Sequence, residues 1–251
     1  MSTSLRFLAI VAAIVLAALI LTPTLHAQSS AADSTLLNAA NRDRAAAGLQ
    51  PLKWDNALAE AAHQHALRMA RANTLSHQLP GEPPMQDRAR QAGARFSLIA
   101  ENVAEGPNVA GLHTQWMNSP PHRANLLDPQ LNAVGISVVQ SGTMYFAVED
   151  FSTAVASLSL EGQEQQISSQ LSQLELHVSA TADARKACAS DRGPAGKSLT
   201  VVRYETSDLS SLPEDVAQKA GSGKYHYANV GACEAGGSGA FARYRIAILL
   251  F

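Results

Sequence analysis

Three polar side chains stand where packing alone does not ask for them. His77 follows a helical run, Glu101 interrupts the apolar stretch Leu98-Ile99-Ala100-Glu101-Asn102-Val103-Ala104, and His122 opens a short helix. A carboxylate flanked by Leu98, Ile99 and Val103 is costly to bury alone, so Glu101 either faces water or has cationic or hydrogen-bonding partners. Two imidazoles with water and one carboxylate make an open zinc site. Two histidines alone bind weakly, and a catalytic zinc normally has three protein ligands. The other histidines have plainer readings. His63 and His65, two apart on a helix, point about 200° apart and cannot share an ion. His113 falls near the packed face that holds Trp116, and His177 and His226 belong to the C-terminal part. Arg123 and Asn125 are placed to brace the His122 loop by hydrogen bonds.

The elements that must position these residues can be read along the chain. Asp33-Ser34-Thr35 offers a cap for a helix over residues 34–47, closed by Gly48. Trp54 precedes Asp55, which caps a longer Ala-rich helix that runs through Leu58, Ala62, Ala66 and Met69 to about Asn73. Residues 78–84 carry three prolines and a glycine and form a loop. One or two helical turns end at Gly93, and the segment that contains Glu101 ends at Gly106-Pro107. A further helix carries Val109, Leu112, His113 and Trp116. Ser119-Pro120-Pro121 then reads as a new cap with Pro at the first helical position. Residues 134–139 and 144–148 form a β-hairpin. Residues 158–172, rich in Gln, Ser and Glu, read as a linker or a weak solvated helix. Three alternating runs, 174–178, 199–204 and 241–248, are strands of a second small unit. Helices first and a closing hairpin favour an α+β arrangement over alternating βαβ. No phosphate loop or GxSxG elbow appears in the sequence.

Composition narrows the function. Lys+Arg 19 against Asp+Glu 21 gives a net charge of -2, so no positive field attracts phosphate backbones. Aromatic content of 5% offers few stacking platforms, and together these exclude a nucleic-acid binder. Arg6 followed by the apolar run 7–21 and a small residue at Ala27 reads as a secretory signal over residues 1–27. The run is short of the roughly 20 residues that span a bilayer, so no transmembrane segment is expected after cleavage. Export implies an oxidising compartment, in which the two cysteines, Cys188 and Cys233, pair as a disulfide. Such a bridge is worth roughly 4 kcal/mol in the chain-entropy model.

An ordered set of motifs then resembles a known family. It comprises Leu37-Asn38 and Asn41-Arg42; Leu49-Gln50-Pro51-Leu52 leading to Trp54; Ala62 and Ala66 to Met69; Ser76-His77; and Glu101-Asn102-Val103-Ala104. It continues with Trp116-Met117-Asn118-Ser119-Pro120-Pro121-His122-Arg123-Ala124-Asn125-Leu126-Leu127, Val134-Gly135-Ile136 and Asp150-Phe151. In this order they resemble the CAP superfamily of secreted proteins, in its bacterial SCP-like branch, over residues 34–152. The resemblance implies an α-β-α sandwich with a cavity that collects histidines and acids. Matched position by position, it makes His77 and His122 the metal ligands, zinc the metal, and Glu101 the first acid. The second glutamate of eukaryotic members falls at Ser119 here, and Glu149 or Asp150 at the end of the hairpin is the substitute carboxylate.

The domain plan is therefore a signal over 1–27, a CAP domain over 34–152, a linker over 153–172 and a disulfide-linked β-rich accessory domain over 173–251. The expected protein is secreted or periplasmic. It is a binding or structural module for a small ligand, a lipid or cell-envelope component, or a divalent metal. The alternative is a metal-dependent hydrolase acting on peptide or cell wall, with Glu101 assisting a metal-bound water.

Overall fold

The structure is a computed structural model that describes residues 30–190, 200–235 and 241–251. The expected signal and Leu199, the first residue of one expected strand, lie outside the described residues.

The first unit contains α1 (Ala31–Ala46), β1 (Lys53–Trp54), α2 (Asn56–Ala72), α3 (Met85–Gln91), β2 (Phe96–Gly106), α4 (Val109–Asn118), α5 (Pro120–Leu126), β3 (Ala133–Ser141) and β4 (Met144–Ala154). The sheet order is β1-β3-β4-β2, with β1 parallel to β3 and the other pairs antiparallel. Side chains alternate across this sheet. Val134, Ile136, Ala147 and Phe151 face one core with Leu36 and Ala40 of α1, Leu112 and Trp116 of α4 and Leu126 of α5. Val103, Phe146 and Val148 face the other, against Ala62, Ala66 and Met69 of α2. This is the expected α-β-α sandwich. Gly135 is required where α2 crosses the sheet, because a Cβ there would lie 2.0 Å from the Ala59 backbone nitrogen.

Helix α1 starts three residues earlier than its sequence suggests. Ser30 is the N-cap and Asp33 completes a capping box, with Asp33 N to Ser30 Oγ at 3.1 Å and Ser30 N to Asp33 Oδ2 at 2.7 Å. The other Asp33 oxygen accepts from Val138 N, so the cap also fixes the helix to β3. Arg44, 1% exposed, donates to the carbonyls of Gln50, Leu126, Asp128 and Leu131, and so ties α1 to the two loops beneath it.

The second unit contains α6 (Leu160–Ser172), β5 (His177–Ala180), α7 (Ala182–Ala189), β6 (Thr200–Thr206), α8 (Glu214–Ala220), β7 (Tyr227–Cys233) and β8 (Tyr244–Leu250). The four-stranded sheet, in the order β5-β7-β8-β6, bears out a β-rich C-terminal region, now with three helices. The Cys188–Cys233 disulfide is present and spans 45 positions.

Three expectations are corrected here. Of the two readings of residues 158–172 the structure takes the helix, over Leu160–Ser172, but neither a linker nor a solvated one: Ile167 and Leu171, one turn apart, are fully buried in the core with Val230, Ile246 and Ile248. The strand expected at 174–178 begins at His177, because Glu175 adopts a left-handed φ of 64° that ends the turn after α6. The last strand begins at Tyr244, while Phe241 packs edge-on against Phe96 of the first unit at 5.7 Å.

Candidate functional site

β2 is an edge strand, and the two histidines reach it from opposite faces of the sheet. His77 sits in the loop between α2 and α3, on the α2 side; His122 sits in the first turn of α5, on the α1 side. Their ring centroids are 6.4 Å apart.

Each ring is fixed through Nδ1. His77 Nδ1 lies 2.8 Å from Glu101 Oε1, and His122 Nδ1 lies 2.9 Å from Ser119 Oγ. Ser119 is at the expected cap position, but its hydroxyl makes no helix-capping bond and serves the His122 ring. The hydrogen bond to Glu101 raises the His77 pKa, whereas burial and then the neighbouring His77 lower that of His122.

Glu101 is 7% exposed and does not face water. Its second oxygen is held by the Arg88 guanidinium, which also donates to the His77 carbonyl at 3.1 Å. Behind this pair His65, fully buried on α2, places one ring nitrogen 2.9 Å from both Glu82 oxygens and the other 2.8 Å from the Ser76 carbonyl. The loop that carries His77 is therefore held from below by a buried array of His65, Glu82, Arg88 and Glu101. Sequence reasoning missed three of these four. The signal for His65 was available, since it lies on the same α2 stripe as Leu58, Ala62 and Met69. Glu82 and Arg88 sit in or beside a proline-rich loop with no periodicity to mark them.

The opposite face of β2 carries Asn102. Its amide donates to the His122 carbonyl at 3.1 Å and accepts from Asn125 at 2.9 Å, so Asn125 does brace this loop. Glu149, paired with Asn102 in the strand register, is fully buried, and burial pushes its pKa up to about 8. Asp150 pairs with Glu101 and is also fully buried. Burial, then the Glu101 carboxylate, raises its pKa well above the usual carboxylate range. Both Asp150 oxygens and one Glu149 oxygen lack a hydrogen-bonding partner. The structure brings Asp150 next to Glu101, on the neighbouring strand β4.

The donor set limits what the site can hold. His77 and His122 each keep Nε2 for a ligand, and no group of three or more His, Cys, Asp or Glu converges on one point among the described residues. The two imidazoles are the pair of donors left at this edge of the sheet, and the His77 side chain is 59% exposed.

Comparison with known proteins agrees with this architecture. Residues 37–151 match the family model described as "CAP: Cysteine-rich secretory protein family". The chain is 30% identical over 117 residues to the uncharacterized protein YkwD of Bacillus subtilis, covering 46% of each. It is 30% identical over 87 residues to an uncharacterized protein of Borreliella burgdorferi, covering 35% of this chain and 56% of that one. The chain thus spans about half the length of these curated relatives. Among solved structures it is similar to an extracellular SCP-domain protein of Bacillus anthracis, at 28% identity and a TM-score of 0.45, covering 47% of this chain and 39% of that one. A cysteine-rich secretory protein of Staphylococcus aureus gives 26% identity and a TM-score of 0.40, covering 48% and 38%. Residues 37–151, with the motifs and the sandwich that carry them, thus form a domain of the cysteine-rich secretory protein (CAP) type.

Proposed function

We propose that the chain is an extracellular binding module whose His77 and His122 imidazoles take a divalent cation, with zinc as the first candidate. The observation that carries this reading is that both Nδ1 atoms are occupied, by Glu101 and Ser119, which leaves Nε2 of each ring for a ligand. A carboxylate behind a metal-binding histidine fixes its tautomer and raises its basicity. Bound there, a cation would supply Lewis acidity to a third ligand, such as a polar group of a cell-envelope component.

Binding is favoured over hydrolysis by the state of Glu101. One of its oxygens is bonded to His77 and the other to Arg88, and the side chain is only 3% exposed, which leaves it little access to a water molecule. An extracellular location is supported by the disulfide and by the description of the Bacillus anthracis relative as an extracellular protein. No helix among the described residues is long and apolar enough to cross a membrane.

The test is a calorimetric zinc titration of the full chain beside His77→Ala and His122→Ala. Binding by the parent at one ion per chain, lost in both variants, is the expected result. Equal binding by all three proteins would sink the reading.

A further inference from the structure

The two sheets share one plan. Apart from the short helices α3 and α5 of the first, both units run helix, short strand, helix, strand, further helix and two closing strands, and the strand orders β1-β3-β4-β2 and β5-β7-β8-β6 repeat the same roles. In each, the short first strand is parallel to the third and every other pair is antiparallel.

The register agrees at single residues. Trp54 stands opposite Val134 in the first unit, and Ala180 opposite Val230 in the second. The next residues, Asp55 and Thr181, cap α2 and α7. Both donate their backbone N–H to those same valine carbonyls, at 2.9 and 3.3 Å. A glycine follows each valine. A Cβ on Gly135 would fall 2.0 Å from Ala59 N, and one on Gly231 would fall 2.2 Å from Arg185 N. Ala59 and Arg185 occupy the same place in their helices, one turn past the cap. Two unrelated hairpins have no reason to coincide in a parallel register, a helix cap and a glycine under that helix.

We propose that residues 160–250 are a second copy of the fold of residues 31–154, with the site erased, so that each chain has one site. Aligned on the two glycines, the register places Arg203 where the first copy has Glu101, and Ala247 where it has Asp150. Tyr204 replaces Asn102 and Ile246 replaces Glu149. None of the three buried acids has an acidic counterpart. Helix α7 has 8 residues against 17 in α2, and the places of Ala66 and Met69, which seal the first copy, fall outside the described residues. The disulfide compensates, because Cys188 and Cys233 fall at the places of Ala62 and Ser137 and fasten the shortened helix to its sheet.

That equivalence can be tested in the first copy of the full chain. Ala62→Cys with Ser137→Cys is expected to form a second disulfide in air, leaving no free thiols after denaturation. Ala61→Cys with Ser137→Cys, one residue out of register, should keep both thiols. Free thiols in the folded 62/137 variant, or equal cross-linking of the offset pair, would overturn the proposal. Nuclear Overhauser contacts in the unmodified protein test the same register without any variant. Arg203 and Gly231 should both flank Ala247, and any other pairing overturns the assignment.

Discussion

The Glu101 carboxylate meets His77 Nδ1 at 2.8 Å while Arg88 holds its other oxygen, so the imidazole is anchored to a buried charge although its side chain is 59% exposed. Because the hydrogen bond raises the His77 pKa, the stabilisation it gives is complete below the ordinary histidine value of about 6.5 and fades as pH rises through the folded value. Glu101→Gln should bring the His77 titration back down. An NMR pH titration of the His77 Cε1 proton checks this, and an unmoved midpoint would show that Glu101 does not control the ring.

Arg88 lies within ion-pair distance of both Glu101 and Glu82, and all three side chains are at most 6% exposed. Arg88→Ala leaves the buried Glu101 carboxylate without its guanidinium partner, and should cost about 3–5 kcal/mol. Urea denaturation at pH 7 measures it. A loss below about 1 kcal/mol would mean that the carboxylate finds another partner.

Glu149 behaves oppositely to a paired surface acid. Its folded pKa of about 8 lies above the unfolded value, so the folded state retains a proton that the unfolded chain releases. Stability should therefore fall as pH rises from about 4.5 to 8, by up to roughly 1.4 kcal/mol per unit from this group. Glu149→Gln cannot ionise and should remove that part of the slope while leaving stability at pH 5 nearly unchanged. Parallel urea curves across this range decide it.

Two glycines should respond differently to the same substitution. Gly135→Ala drives a methyl into the α2 backbone, and α2 or β3 must move, so a loss of about 3 kcal/mol or more is expected. Gly142 lies in the hairpin turn at φ 59° with open space around it, so Gly142→Ala should cost only about 1 kcal/mol, from backbone strain. Thermal melts of the two variants should rank them in that order.

Much of the first unit was legible because its signals are local. Asp55 caps α2, Gly48 closes α1 with φ 73°, and the alternation over residues 134–148 marks the hairpin. The positions of His77, Glu101 and His122 were visible as polar residues out of place. What supports them was not, because His65, Glu82 and Arg88 act through contacts between segments far apart in sequence. Helix α6 was hidden for a related reason. Its stripe is narrow, and its buried Glu164 makes sense only once Arg185 and the Ala232 N–H are brought to it. Helices of seven or eight residues, such as α7 and α8, owe their stability to packing and leave little trace in periodicity.

The placement of the disulfide also decides how the chain withstands cutting. Any single backbone break between residues 188 and 233 leaves its two pieces joined through sulfur. A protease outside the cell that nicked this stretch would release nothing, and the damage would show as two bands only on a reducing gel. The site-bearing copy has no such tether. A break between His77 and Glu101 would leave the two partners held together by noncovalent packing alone.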